Sequence, residues 1–112
     1  MFEVFISDAA KKDLRNNVDW WSENRSAEEA ELWYTSILES IYSLEHMPQR
    51  CPLAREAETL SIELHNLWFG MSSKQTHRSL FTIEGNRVKV LRVLSTRQET
   101  KDLKFDEETD PR

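Results

Sequence analysis

At 112 residues, with 38% hydrophobic and 31% charged side chains, the chain is sized for one domain of roughly 100–150 residues and composed like a soluble globular protein, which excludes two independent cores and wholesale disorder. A net charge of −5 argues against a protein that coats nucleic acid with its whole surface. One cysteine, Cys51, leaves neither an intrachain disulfide nor a multi-cysteine metal site, as suits a reducing cytosol.

Phe2–Ile6 is mostly apolar and predicts a short first strand. The opening lacks the basic n-region and long apolar run of a signal peptide, and no stretch approaches the roughly 18 apolar residues of a membrane span, so a cytoplasmic location is expected. Ser7 suits a helix N-cap, with Asp8 favourably placed against the helix dipole. Ala10, Leu14, Val18 and Trp21 fall on one helical face and predict a helix from about Asp8 to Glu23. Trp20 and Trp21 are adjacent and cannot both face a core, which assigns Trp21, with Trp33, to packing. Ser26-Ala27-Glu28-Glu29 has the capping-box spacing, and Ala30, Trp33, Ile37, Ile41 and Leu44 form a second apolar stripe that Pro48 brings to an end. The short break at Asn24-Arg25 folds the two helices into an antiparallel hairpin.

Residues 48–59, with two prolines, predict a loop. Leu60, Ile62 and Leu64 alternate with Ser61, Glu63 and His65, a half-buried strand pattern running on through Trp68 and Phe69 to Gly70. Met71–Thr76 predicts a loop, His77–Ile83 a strand, Glu84-Gly85-Asn86 a tight turn and Arg87–Leu94 a last strand. Leu91 follows Val90 directly and shifts the alternation, which means either a central strand covered on both faces or a bulge. The fold class is therefore α+β: an N-terminal strand, then a two-helix hairpin packed on an antiparallel sheet whose other three strands form a C-terminal meander. Its predicted core includes Leu14, Val18, Trp33, Ile37, Ile41, Leu64, Phe81, Val88 and Val90.

Charge is unevenly spread. Between Gly70 and Gln98, Lys74, Arg78, Arg87, Lys89, Arg92 and Arg97 face the single acid Glu84, a local charge of +5, whereas residues 1–69 carry −7 and residues 99–112 carry −3. Residues 99–112 read as an acidic, flexible tail in which Leu103 and Phe105 are candidates to dock. No clustered His or Cys spacing supports a metal site, and no cofactor is expected.

The ordered combination resembles the RelE/ParE toxin superfamily over roughly residues 2–98. Ser7-Asp8-Ala9-Ala10 followed by Asp13-Leu14 is similar to that family's opening, and Pro48-Gln49-Arg50-Cys51-Pro52 to its proline-bearing linker. Arg87-Val88-Lys89-Val90-Leu91-Arg92-Val93-Leu94, ending near Arg97, is similar to its last strand and basic finish. The resemblance implies a toxin domain over 1–98, a cognate antitoxin partner, and either DNA gyrase or the ribosome and its mRNA as target. RelE-like relatives cut mRNA on the ribosome, whereas ParE-like relatives block gyrase.

RNA cleavage by its own 2′-OH needs a proton acceptor, a proton donor and cations at the phosphate. Arg78, Arg92 and Arg97, with Lys74, Arg87 and Lys89, are the candidate cations for target or antitoxin, since guanidinium forks suit phosphates and carboxylates alike. Candidate proton-transfer groups are His65, His77 and Glu63. Where many relatives carry Tyr and His, this chain has Phe81 and Ser95, neither of which moves a proton near neutral pH. This favours a ParE-like toxin that binds its target over the alternatives, a RelE-like endoribonuclease or an inactive binding module. If Arg78, Arg92 and Arg97 converge on one sheet face, an acidic antitoxin segment should cover them. Lys11 and Lys12 then lie outside the contact.

Overall fold

The computed structural model describes residues 1–96. Strand β1 (Glu3–Ile6) stops at Ser7, whose Oγ accepts from the Ala10 N–H at 3.1 Å and caps helix α1 (Asp8–Asn24). Ser26 caps α2 (Ala27–Tyr42) in the same way, accepting from the Glu29 N–H at 3.0 Å. Each cap satisfies one of the amide donors a helix start leaves orphaned. Two 3₁₀ turns, Ser43–Glu45 and Pro48–Arg50, lead to a short helix α3 (Glu56–Leu60), then to strands β2 (His65–Phe69), β3 (His77–Glu84) and β4 (Arg87–Ser95). Among the described residues no helix is long and apolar enough to cross a membrane.

The sheet runs β1-β4-β3-β2. β2, β3 and β4 form the expected antiparallel meander, and β1 joins β4 in parallel, Glu3 opposite Arg87 and Ile6 opposite Val90, so the sheet is mixed. Gly85, at φ +61°, opens the two-residue β3–β4 turn in a conformation a side chain would disfavour. Both readings of the Val90-Leu91 step hold. β4 is an inner strand, and Val90 stands opposite Phe81 while Arg92 stands opposite Leu80, leaving Leu91 as the bulged residue.

The main core lies between the helix hairpin and one sheet face, where Leu14, Trp33, Ile37, Ile41, Phe81, Val88 and Val90 are buried. Val18 and Trp21 are only half-buried at its margin, and Trp20 is 52% exposed. A smaller cluster of Ala54, Leu64, Leu80 and Leu94 covers the other face, with Ala57 of α3 and Leu91 packed against it. This corrects the reading of residues 48–70. Glu56–Leu60 is helical, Ser61 ends that helix with a left-handed φ of 55°, and the strand begins only at His65. Leu60 and Ile62 remain 38% and 40% exposed while Leu64 is fully buried, so the alternation was not that of one pleated face.

Past Val90, β1 no longer flanks β4, and the start of α1 takes its place as hydrogen-bond partner. The Ser7 N–H donates to the Val90 carbonyl and the Ser7 hydroxyl to the Leu91 carbonyl, each at 3.0 Å. The Val93 N–H donates to Asp13 Oδ2 at 2.9 Å, and Arg92 grips the same carboxylate through Nε at 2.7 Å and Nη2 at 2.9 Å. One carboxylate thus ties α1 to both the backbone and a side chain of the inner strand.

Two outcomes follow for stability. Val90→Asp places an unpaired charge in the main core and should cost several kcal/mol, about 3–5, read as a lost or strongly lowered melting transition. Asp13→Ala leaves the half-buried Arg92 guanidinium without its carboxylate and strips the Val93 N–H of its acceptor, so a loss of about 3–5 kcal/mol in denaturant unfolding is expected.

Candidate functional site

The basic segment does not gather into one patch. Arg78, on β3, is 4% exposed; its Nη1 donates to Glu56 Oε1 at 2.9 Å and to Asn66 Oδ1 at 3.1 Å, and its Nη2 donates to Glu56 Oε2. This bidentate pair fastens α3 to the sheet face away from the hairpin. Arg92 turns instead to Asp13 of α1, on the hairpin side, so the convergence on which the shared patch rested is not met by these two. Lys89 is buried and pairs with Glu84 at 2.8 Å. The Arg87 guanidinium lies 5.2 Å over the Phe5 ring, a cation–π arrangement. Lys74 is exposed in the β2–β3 loop, whose tight return brings the Lys74 carbonyl against Gly70, where a Cβ would stand 2.0 Å from that oxygen. Arg97 lies outside the described residues, as do residues 99–112.

The three candidate proton-transfer groups are likewise engaged. His65 is buried and stacked on Phe81 with ring centroids 5.3 Å apart. Its Nδ1 lies 2.8 Å from the Cys51 carbonyl and its Nε2 3.2 Å from Glu63 Oε1. Glu63 reaches this contact from an exposed position. His77 sits at the other end of the same strand pair, edge-on to Trp33 with ring centroids 5.1 Å apart. The Asn17 amide donates to the Asp13 carbonyl through Nδ2, which leaves its Oδ1 at 2.9 Å to accept from His77 Nε2–H, and His77 Nδ1 then accepts from the Thr76 hydroxyl at 2.8 Å. Burial pushes the His77 imidazole below the ordinary histidine value. Phe81 is fully buried beneath the hairpin and Ser95 half-buried at the end of β4. His65 and His77 each have internal hydrogen-bond partners and lie at opposite ends of the β2–β3 pair.

An open apolar groove of about 540 Å³ lies on the outer side of the hairpin. Ile6, Leu14 and Val18 form one wall and Tyr34, Leu38 and Tyr42 the other, with Lys11, Arg15 and Glu31 on the rim. Tyr34 and Tyr42 are 40% and 44% exposed. Sequence reasoning missed this site, although a sign of it was present. Tyr34, Leu38 and Tyr42 each follow by one position the core residues Trp33, Ile37 and Ile41, so α2 carries two apolar stripes where a helix covering one sheet needs one. Lys11 and Arg15, one turn apart on α1, place positive charge at the rim.

Because the folded protein holds His77 neutral, the unfolded chain binds its proton more readily, and the stability this contributes is complete above the unfolded pKa of about 6.5 and lost as pH falls toward the lower folded value. Unfolding free energy measured by urea titration should therefore drop as pH falls below about 6.5, and His77→Gln should flatten that part of the dependence. An unaltered slope in the variant would contradict the assignment.

Comparison with known proteins agrees with this architecture. Residues 4–100 match the family described as the ParE toxin of the type II toxin–antitoxin system parDE. No curated protein matches the chain. Among solved structures, a chain of the chromosomal ParDE TA system from P. aeruginosa superposes with a TM-score of 0.67 at 18% identity, covering 85% of this chain and 96% of that one. At that identity the superposition shows the shared fold, and the match over residues 4–100 shows the family. The chain belongs to the ParE toxin family of type II toxin–antitoxin systems.

Proposed function

We propose that this protein is the toxin of a ParDE-type pair, that it acts by binding its cellular target, DNA gyrase by resemblance to ParE-like relatives, and that a cognate antitoxin neutralises it. The observation that carries this reading is the state of the groups RNA cleavage would require: His65, His77, Arg78 and Arg92 all have internal partners. A positioned acid or base contributes about 10²–10⁴ in rate, and none of these is aimed at an opening beside the others. The hairpin groove, by contrast, suits a bound chain. Its apolar walls can take the hydrophobic face of an amphipathic helix, and Lys11 and Arg15 favour acidic residues on that helix's flank, with Glu31 opposing them on one side. The antitoxin contact therefore falls on the hairpin, not on the strand arginines.

The purified protein should inhibit gyrase supercoiling and leave ribosome-bound mRNA intact. Ribosome-dependent mRNA cleavage abolished by His65→Ala or His77→Ala would establish the nuclease reading instead. For the antitoxin contact, Tyr34→Asp should weaken the complex by about 2 kcal/mol, roughly 30-fold in Kd, as measured by calorimetry, with little change in the melting temperature of the free toxin because Tyr34 is exposed. An unchanged Kd would move the antitoxin off the groove.

A further inference from the structure

A smaller cleft of about 210 Å³ opens on the sheet face away from the hairpin, lined by Leu53, Arg55, Asn66, Trp68 and Arg78 among others. Strand alternation puts Asn66 and Trp68 on one face of β2, and Arg78 stands directly opposite Trp68 on β3. Small-molecule sites run to about 300–1,000 Å³, so this cleft is sized for one or two side chains. Its walls are fixed. The segment around Leu53 pairs with the edge strand, the Ala54 N–H donating to the Leu64 carbonyl at 2.7 Å and the Asn66 N–H to the Pro52 carbonyl at 2.9 Å. Two residues on, the Trp68 amide and carbonyl face the same edge, and among the described residues nothing pairs with them there.

The polar groups of the cleft are donors. Arg78 has no acceptor to offer, so the Asn66 atom it contacts at 3.1 Å is the oxygen Oδ1, and the amide Nδ2 is turned elsewhere. Among the described residues Nδ2 has no hydrogen-bond partner, although Asn66 is only 4% exposed. Nor is it sealed in, since the enclosed side-chain polar atom left without a partner is Trp33 Nε1. A buried residue therefore presents an unmatched amide donor to the cleft it lines. Arg55 touches Glu56 only through Nε, at 3.4 Å, and its side chain is 73% exposed, which leaves the end of the guanidinium fork for another acceptor. Glu56 matches the charge of Arg78, so Arg55 is the surplus cation among these residues. One positive charge beside an amide donor suits a single carboxylate. A phosphate dianion would bring a second negative charge toward Glu56 with no second cation here to meet it. Trp68 and Leu53, 44% and 60% exposed, supply an apolar surface beside the donors. We infer that this cleft takes an acidic side chain from an extended segment of a partner protein, the carboxylate held by Arg55 and Asn66 Nδ2, an apolar neighbour lying on Trp68 and Leu53, and the segment running along the open edge of β2. The site is separate from the hairpin groove and does not depend on what occupies that groove.

The test is titration of the full-length chain with a blocked peptide, Leu-Thr-Glu-Thr-Leu, in which the acidic and apolar side chains share one side of an extended segment, followed by NMR and calorimetry. Shifts are expected at the Asn66 side-chain amide and the Trp68 indole N–H, and the same peptide with Gln for Glu should bind roughly ten-fold more weakly. Arg55→Gln, at an exposed position, should weaken binding of the acidic peptide to a similar degree. Asn66→Asp keeps an oxygen for Arg78 but replaces the cleft-facing donor with a carboxylate, so it should abolish binding while the melting temperature is retained. Absence of binding, equal affinity for the two peptides, or an unchanged Kd in Arg55→Gln would overturn the inference. Shifts at Tyr34 and Tyr42 would place the peptide in the hairpin groove and overturn it equally, as would inorganic phosphate binding the cleft more tightly than the peptide.

Discussion

The half of β4 that β1 does not reach is the point on which the rest of the molecule is hung. An inner strand with one flank open would expose unpaired amides and carbonyls in the middle of the fold, a costly and aggregation-prone arrangement. Here Ser7 and Asp13 close that flank, the first with backbone and hydroxyl, the second with a carboxylate shared between the Val93 amide and the Arg92 guanidinium. The bulge at Leu91 belongs to the same solution. It bends the strand where its partner changes from strand to helix, and it allows Leu91 to pack on the second cluster. The orientation of α1, and with it the hairpin groove, is set by these contacts.

Formal charge and available charge differ sharply in this chain. The centre of the sequence carries six cations to one acid, yet Arg78, Lys89 and Arg92 spend their charge on Glu56, Glu84 and Asp13. Two of those pairs act as staples, one holding α3 to the outer sheet face and one holding α1 to the inner strand. Pairs of this kind contribute as much to geometry as to stability, because a buried guanidinium tolerates few orientations of its partner. Outward-facing positive charge beside the hairpin groove comes instead from Lys11 and Arg15, within the acidic half of the sequence.

What could be read from the sequence was what is decided locally. The serine caps, the helix hairpin, the glycine turn and most of the core follow from spacing alone, and the irregular step at Leu91 was visible as a break in period. Leu60, Ile62 and Leu64 misled because alternation over five residues fits a strand and a helix end equally well, and the left-handed Ser61 that separates the two carries no marker in a serine. The fates of Arg78 and Arg92 were illegible for a different reason. Their carboxylates lie 22 and 79 positions away in the chain, and only the packed topology selects Glu56 and Asp13 from the many acids present. The parallel seating of β1 is of the same kind, since a short apolar strand has no local mark of the neighbour it will choose.

That seating also governs when the protein can exist as it is made. Among the described residues, the first strand, β1, pairs with the last, β4, and the core residues Val88 and Val90 arrive with it. Non-local pairing of this sort delays folding until the distant partner is present. On the ribosome, the helix hairpin therefore emerges with its apolar stripes uncovered and waits for the C-terminal strands before a sheet exists to receive them.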